Sequence, residues 1–362
     1  MWTKLLAMGC DSTNVRLWKM RQRVVHTFFN LLWNHAPTLS KRIIERMFFT
    51  PTTYKCTPVE RKYLENAKRF EIPVHGKAVK CWEWGNGPSI LLAHGWNGRG
   101  IQLHHFIEPL IQRGYSAIAY DAPGHGESRG RTSSYFEFTD TIRTLLNSPN
   151  GHEIRGVIAH SLGGSAVVNS IEKENLPLKA VLIAPALRLK EVLYGFFDYV
   201  GVPKVLYKNL IKAYEDQFGY DMHRDNPSNL LREIDSKILI VHDKNDPTIP
   251  YGHSEEISER FANIELHTTE LLGHKKVLAD SSVVNRAMDY LGEPAKKMED
   301  KEMAKIENIL EEYRKADLDR RLNLYLECPS LRTEFLEIDQ SERAGRFLFA
   351  NAGKADLEAR GS

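Results

Sequence analysis

Gly156-Val157-Ile158-Ala159-His160-Ser161-Leu162-Gly163-Gly164-Ser165 joins an apolar run to a helical pattern through a serine set between small residues. The run reads as a buried strand, the change of period as a sharp turn, and the residues after the turn as a helix. A serine at such a turn is held in a strained backbone conformation that small neighbours tolerate, and its hydroxyl projects above the sheet edge. Ser161 is therefore a candidate nucleophile. The stretch departs from the pattern Gly-x-Ser-x-Gly by one methyl group, with Ala159 in place of the first glycine and Gly163 matching the second. Taken alone, Ser-Leu-Gly-Gly reads equally well as a strand-to-helix loop without chemistry. The rest of the chain decides between the two.

Outward from this stretch, short apolar runs alternate with segments of helical length. Residues 70–74 and 78–84 read as an antiparallel hairpin. A buried strand then begins at Ser89 and ends in the glycine-containing loop Gly95-Trp96-Asn97-Gly98-Arg99-Gly100. A helix over 101–113, a strand over 115–120, the loop Asp121-Ala122-Pro123-Gly124-His125-Gly126-Glu127-Ser128 and a helix over 136–146 precede the central stretch. Beyond it, strands are expected at 180–183, 237–243 and 264–268, and a final helix at about 281–291. Such alternation implies an α/β fold: a mostly parallel sheet with helices on both faces, binding ligands at the carboxyl ends of its strands. Residues 66–186 and 237–292 form this core. Between 187 and 236 the alternation stops in a stretch rich in Leu, Tyr and Phe, which reads as a helical cap lining an apolar pocket.

Both ends carry extensions. Within the first 50 residues, eight Lys or Arg stand against two acids. Leu17, Met20, Val24, Val25, Phe28, Leu31 and Leu32 recur there at helical spacing, with a second helical piece at 39–49. Residues 1–65 thus form an amphipathic, basic helical arm. Its expected place is against the main domain with its charges in water; the competing reading is contact with an anionic membrane surface or a partner protein. Residues 293–362 carry 13 basic and 16 acidic residues and read as a charged extension: one long helix over about 295–326, a second over 331–338, and a disordered end after Ala350.

The 362-residue chain has 49 basic and 47 acidic residues, a net charge of +2, which gives no nucleic-acid footprint. Its four cysteines lie far apart, so neither a zinc site nor a disulfide framework is expected. No apolar stretch reaches membrane-spanning length and the amino-terminal apolar run is short for a secretory signal, so a cytoplasmic protein, at most peripherally membrane-bound, is the expectation. The oligomeric state is not legible.

A serine hydroxyl needs a base to take its proton, an acid to orient that base, and amides for the developing oxyanion. Leu271-Leu272-Gly273-His274 places a histidine in the loop after the last strand. Asp243-Lys244-Asn245-Asp246-Pro247-Thr248-Ile249-Pro250 places carboxylates in the loop after the strand at 237–243. Over about residues 70–292, the His94-Gly95-Trp96 loop, the Asp121 loop, the turn at Ser161, the Asp246 loop and the Gly273-His274 loop follow one another as they do in the α/β-hydrolase superfamily. The chain resembles its esterase and lipase-like members with a helical cap. The resemblance implies Ser161 as nucleophile, His274 as base, Asp246 as orienting acid with Asp243 as runner-up, and the Trp96 and Leu162 amides as oxyanion hole. His94, His125 and His160 are read as shaping loops. The expected activity is hydrolysis of carboxylic esters, or thioesters, through an acyl-enzyme, with neither metal nor organic cofactor. A serine at the turn argues against epoxide and halide chemistry, and the lack of a glycine run with proline after His94-Gly95 against proline-specific peptidases. An acyltransferase on the same site, or a non-catalytic binding or scaffold protein on this fold, are the alternatives.

Overall fold

A computed structural model describes residues 12–147, 153–292 and 300–328, and the single positions 331, 335 and 338. The chain divides into two compact units, residues 1–294 and 295–362.

The first unit is built on one eight-stranded sheet: β1 (Lys68–Val74), β2 (Lys77–Trp84), β3 (Ser89–Ala93), β4 (Ser116–Tyr120), β5 (Ile154–His160), β6 (Lys179–Ile183), β7 (Ile238–Asp243) and β8 (Ile264–Thr269). Their spatial order is β1-β2-β4-β3-β5-β6-β7-β8. The first two strands form the antiparallel hairpin, β2 runs antiparallel to β4, and every pair from β4 to β8 is parallel. All five residues of β3, and all five of β4, are buried, as expected of strands covered on both faces. Side chains alternate between two cores: Leu91 joins one apolar cluster, and its neighbours Ile90 and Leu92 join the other.

Twelve α-helices of six residues or more accompany the strands among the described residues. Ahead of the sheet lie α1 (Ser12–His35), α2 (Pro37–Phe48) and α3 (Pro58–Glu65). Between strands come α4 (Ile107–Gln112), entered through a 3-10 turn, α5 (Tyr135–Leu146) and α6 (Leu162–Glu174). The cap holds α7 (Leu189–Val200) and α8 (Lys204–Phe218); α9 (Tyr251–Arg260) and α10 (Ser281–Leu291) complete the first unit. Helix α3 is started by a capping box that sequence reading passed over: Thr57 Oγ1 accepts from the Glu60 amide at 3.2 Å, and Glu60 Oε2 accepts from the Thr57 amide at 2.7 Å.

The arm is part of the first unit, and it is not packed as its periodicity suggested. Val25 and Phe29 turn toward the core, but Leu17, Met20, Val24, Phe28 and Leu31 remain exposed. The cause is a second apolar face on α1, offset around the helix, which takes the inward position. Helix α2 is anchored on the cap: the Phe48 ring lies 4.2 Å from that of Phe197, which stacks on Tyr207 at 4.7 Å. Tyr214 of α8 donates to Glu45 Oε1 at 2.7 Å.

In the second unit the expected single helix is two, α11 (Asp300–Lys315) and α12 (Leu318–Glu327). Asp317 takes an extended backbone and its side chain accepts from the Arg320 amide at 2.9 Å, so it caps a new helix instead of continuing the old one. Tyr313 stacks on Phe335 at 4.1 Å within a small cluster that includes Leu324 and Leu331. The helix start expected at 295, most of the helix expected at 331–338, and the end after 350 lie outside the described residues.

Phe48→Ala removes the ring that joins arm to cap. It is expected to destabilise the protein by about 3 kcal/mol in urea unfolding.

Candidate active site

Ser161 stands between β5 and α6 with φ +53° and ψ −119°, a conformation that L-residues rarely adopt. The surroundings impose it. The Ser161 amide donates to Ile183 O at 2.9 Å, and its carbonyl accepts from Gly164 at 3.0 Å and Ala186 at 3.3 Å. Close approach of neighbouring backbone requires glycine at two places: a Cβ at Gly95 would fall 2.8 Å from the Ser161 Cβ, and one at Gly163 would fall 2.4 Å from His94 O.

The structure brings Ser161, His274 and Asp246 into one hydrogen-bonded chain. Ser161 Oγ lies 3.1 Å from His274 Nε2, and His274 Nδ1 lies 2.7 Å from Asp246 Oδ2. With the imidazole proton on Nδ1, the ring donates to Asp246 and accepts from the serine hydroxyl. The Asp246 side chain is fully buried. Burial would raise its pKa, but hydrogen bonds from His242 and His274, and the Ile249 amide, hold it well below the usual carboxylate range. Its other oxygen accepts from the Thr248 and Ile249 amides at 2.7 and 3.0 Å. Asp246 is thus charged and fixed.

Asp243, the runner-up, faces a different task. It accepts from Thr269 Oγ1 at 2.9 Å, and from the Leu272 and Asn245 amides at 3.0 and 2.9 Å, tying the loop after β7 to the loop that carries His274. Trp96 and Leu162 line the same cavity as Ser161 and His274, and their amides donate to no group among the described residues. Leu162 opens α6, where first-turn amides have no intrahelical partner.

Two residues were not singled out by sequence reading. His242, fully buried on β7, donates from Nε2 to Ile249 O at 3.2 Å, with Asp246 Oδ2 at 3.4 Å from the same nitrogen; Ser254 Oγ donates to its Nδ1 at 2.7 Å. It lies within a continuous apolar run, where a histidine reads as filler. Arg99 is the other: it donates to Tyr54 O and Lys55 O at 2.6 Å each, pinning the segment after α2 to the loop that holds Trp96.

His94, His125 and His160 are built into the loops. His94 donates from Nδ1 to Gly95 O at 2.8 Å and accepts at Nε2 from Ala122 N at 2.9 Å. His125 donates to Pro123 O and accepts from Asn97 N. His160 donates to the carbonyl of His274 at 2.8 Å, fixing the base's backbone. Burial depresses all three: His94 well below the ordinary histidine value, His125 to about 4 and His160 to about 3.

The cavity over Ser161 encloses about 530 Å³. Its wall is mainly apolar, and beyond the core residues around Ser161 it has two further sources. Val192, Leu193 and Phe196 come from the cap, while Phe48, Phe49 and Tyr54 come from the arm. Two wall atoms, Thr248 Oγ1 and His253 Nδ1, are buried without a hydrogen-bond partner among the described residues. Among the described residues no cluster of His, Cys, Asp or Glu is arranged to hold a metal, and no helix is long and apolar enough to cross a membrane.

Residues 87–216 match the family described as "Serine aminopeptidase, S33", and residues 218–303 the family described as "TAP-like protein". A probable serine hydrolase of Drosophila melanogaster is 28% identical over 185 residues, 44% of this chain and 55% of that protein. A monoacylglycerol lipase of Mycolicibacterium smegmatis is 25% identical over 217 residues, 49% of this chain and 77% of that one. This chain spans between 33 and 55% of the length of several curated relatives it matches. Among solved structures, an esterase from Pyrococcus furiosus superposes with a TM-score of 0.51 at 20% identity, covering 67% of this chain and 96% of its own.

The buried histidines give the fold a pH dependence of definite sign. A group whose folded pKa is depressed contributes stability that is complete above its unfolded value and lost as pH falls toward the folded one. Stability should therefore rise between about pH 4 and 6.5. Asp121, raised by burial to about 6, works in the opposite direction over most of this range, and the net rise rests on His94 and His160 together with His125. His125→Asn should remove about 3 kcal/mol from that rise, measured as unfolding free energy against pH.

Proposed function

Because the chain belongs to the α/β-hydrolase superfamily and is of its serine-hydrolase type, we propose that it cleaves carboxylic esters of apolar acids through an acyl-enzyme on Ser161. The observation that carries this reading is the chain from Ser161 Oγ through His274 to a buried, charged Asp246, opening into an apolar cavity. In the first half-reaction Ser161 Oγ attacks the carbonyl carbon as its proton passes to His274 Nε2. The oxyanion is received by the Trp96 and Leu162 amides. Collapse breaks the bond to the alcohol oxygen, which takes the proton from His274 and leaves. Water then gives a proton to the same nitrogen, attacks the acyl carbon, and releases the acid as the proton returns to Ser161.

Asp246 stays ionised throughout and stabilises the imidazolium that forms twice in each cycle. The His242 contact and the two loop amides keep its carboxylate at one angle. The largely apolar wall suits an acyl chain, while Thr248 Oγ1 and His253 Nδ1 suit a hydroxyl or carbonyl on the substrate. A peptide is the competing substrate, since one family description names an aminopeptidase. Recognition of a free amino terminus calls for a carboxylate on the wall, and the one there, Glu191, lies 3.6 Å from Arg188. That favours the ester.

A fluorophosphonate probe should label Ser161 of the purified chain, as read by peptide mass spectrometry, and both Ser161→Ala and His274→Ala should abolish the adduct. Ser161→Ala should lower kcat/KM on p-nitrophenyl esters by about 10⁴-fold or more, and Asp246→Asn by about 10⁴-fold. A folded chain that neither labels nor turns over esters sinks the reading, and turnover confined to aminoacyl anilides replaces it with a peptidase.

A further inference from the structure

Helix α1 has two apolar faces, and the fold uses only one. Phe29 is buried and Val25 and Trp33 are partly buried against the core, while the Trp18 ring lies 5.4 Å from that of Tyr199 in the cap. Gln22 holds the same face down, donating from its side-chain amide to Asp198 O at 2.9 Å and Tyr199 O at 3.1 Å. Leu17, Met20, Val24, Phe28 and Leu31 form the second stripe, at spacings of three and four residues, and each is between 51 and 64% exposed. A run of large apolar side chains along more than three turns of an exposed helix marks an interaction surface.

The charges beside the stripe specify the partner. Arg16, Lys19, Arg21 and Arg23 lie on the same helix and Lys41 and Arg42 on α2, all exposed, and none forms an ion pair among the described residues. The one described carboxylate in α1 or α2, Glu45, is engaged by Tyr214. An apolar stripe flanked by unpaired cations complements a surface that is apolar within and anionic above, where long basic side chains extend to the headgroups while their neighbours enter the acyl region. A protein partner would need a groove lined by acids. A second copy of α1 would bring like charges together. We propose that α1 docks this protein, lengthwise, on an anionic lipid bilayer through the Leu17–Leu31 stripe. The docked helix lies beside the substrate cavity, since Tyr199, its contact in the cap, is also part of the cavity wall.

The test is sedimentation of the full chain with sucrose-loaded vesicles of phosphatidylcholine alone or mixed equally with phosphatidylglycerol. Binding is expected to the mixed vesicles only, and to fall steeply as salt rises toward about 1 M. Met20→Asp/Val24→Asp should reduce partitioning by more than about tenfold, with the thermal midpoint and turnover of a soluble short-chain ester unchanged. Should that variant fail to fold, Arg16→Gln/Lys19→Gln/Arg23→Gln leaves the stripe intact and should reduce partitioning by about 100-fold. Ser161→Ala should bind vesicles like the parent, so a failure of the esterase reading and a failure of this one are told apart. No binding to mixed vesicles, or binding undiminished in both variants, overturns the proposal. So does a dimer in analytical ultracentrifugation that Met20→Asp/Val24→Asp dissociates in the absence of any vesicle binding, which would assign the stripe to a second copy.

Discussion

The backbone of Ser161 is the constraint on which the site depends. A non-glycine residue at φ +53° and ψ −119° costs on the order of 1–3 kcal/mol, and it persists because its surroundings leave no alternative. Its amide and carbonyl are committed to Ile183 and Ala186, at the carboxyl end of the neighbouring strand. Gly95 and Gly163 let the loop after β3 and the first turn of α6 close on it from either side. Beside the serine, the Trp96 and Leu162 amides donate to no group among the described residues, the second because it opens α6.

The loops that meet Ser161 are tied to each other before they are tied to it. Asp243 joins the loop after β7 to that after β8, and Asp121 joins the loops after β3 and β4 through the Gly100 and Glu127 amides at 2.9 and 2.7 Å. Buried histidines complete the set. Because they are held neutral, each ring has one nitrogen that donates and one that can accept, so a single side chain can fix two backbone segments. His94 does this for Gly95 and Ala122.

Much of this was legible in sequence because buried parallel strands announce themselves as unbroken apolar runs, and because Ser161 and Asp246 each come after such a run; His274 follows the more polar edge strand Ile264–Thr269 and was found from the Gly273-His274 loop. What was missed has physical reasons. Helix α9 buries only Ser254 and Ile257, so it has almost no periodicity to detect. The start of α3 did carry a signal, Thr57-Pro58-Val59-Glu60, which passed unread. For α1 the helix was plain, but its orientation was not: apolar residues occupy two faces, and periodicity cannot say which of two apolar faces a fold will cover. The single long helix expected in the second unit failed at Asp317, whose side chain competes for the backbone amides that would have continued it. Nor could any local pattern reveal that the arm supplies part of the cavity wall, because the cap residues it meets lie about 150 positions away or more.

That separation bears on how the chain is made. Gln22 and Tyr199 are 177 positions apart, and Glu45 and Tyr214 are 169 apart. The arm leaves a ribosome before the cap does, and it waits for the cap before its inward face can be covered. At synthesis rates of about 5–20 residues per second the wait is roughly ten seconds or longer. During it, α1 presents not one apolar face but two. A nascent chain of this kind is exposed to capture by chaperones, and to association with its neighbours on a polysome, for longer than a chain whose early residues close on one another. Order of synthesis and order of assembly differ here: the arm's share of the cavity wall is made early and finds its partners late.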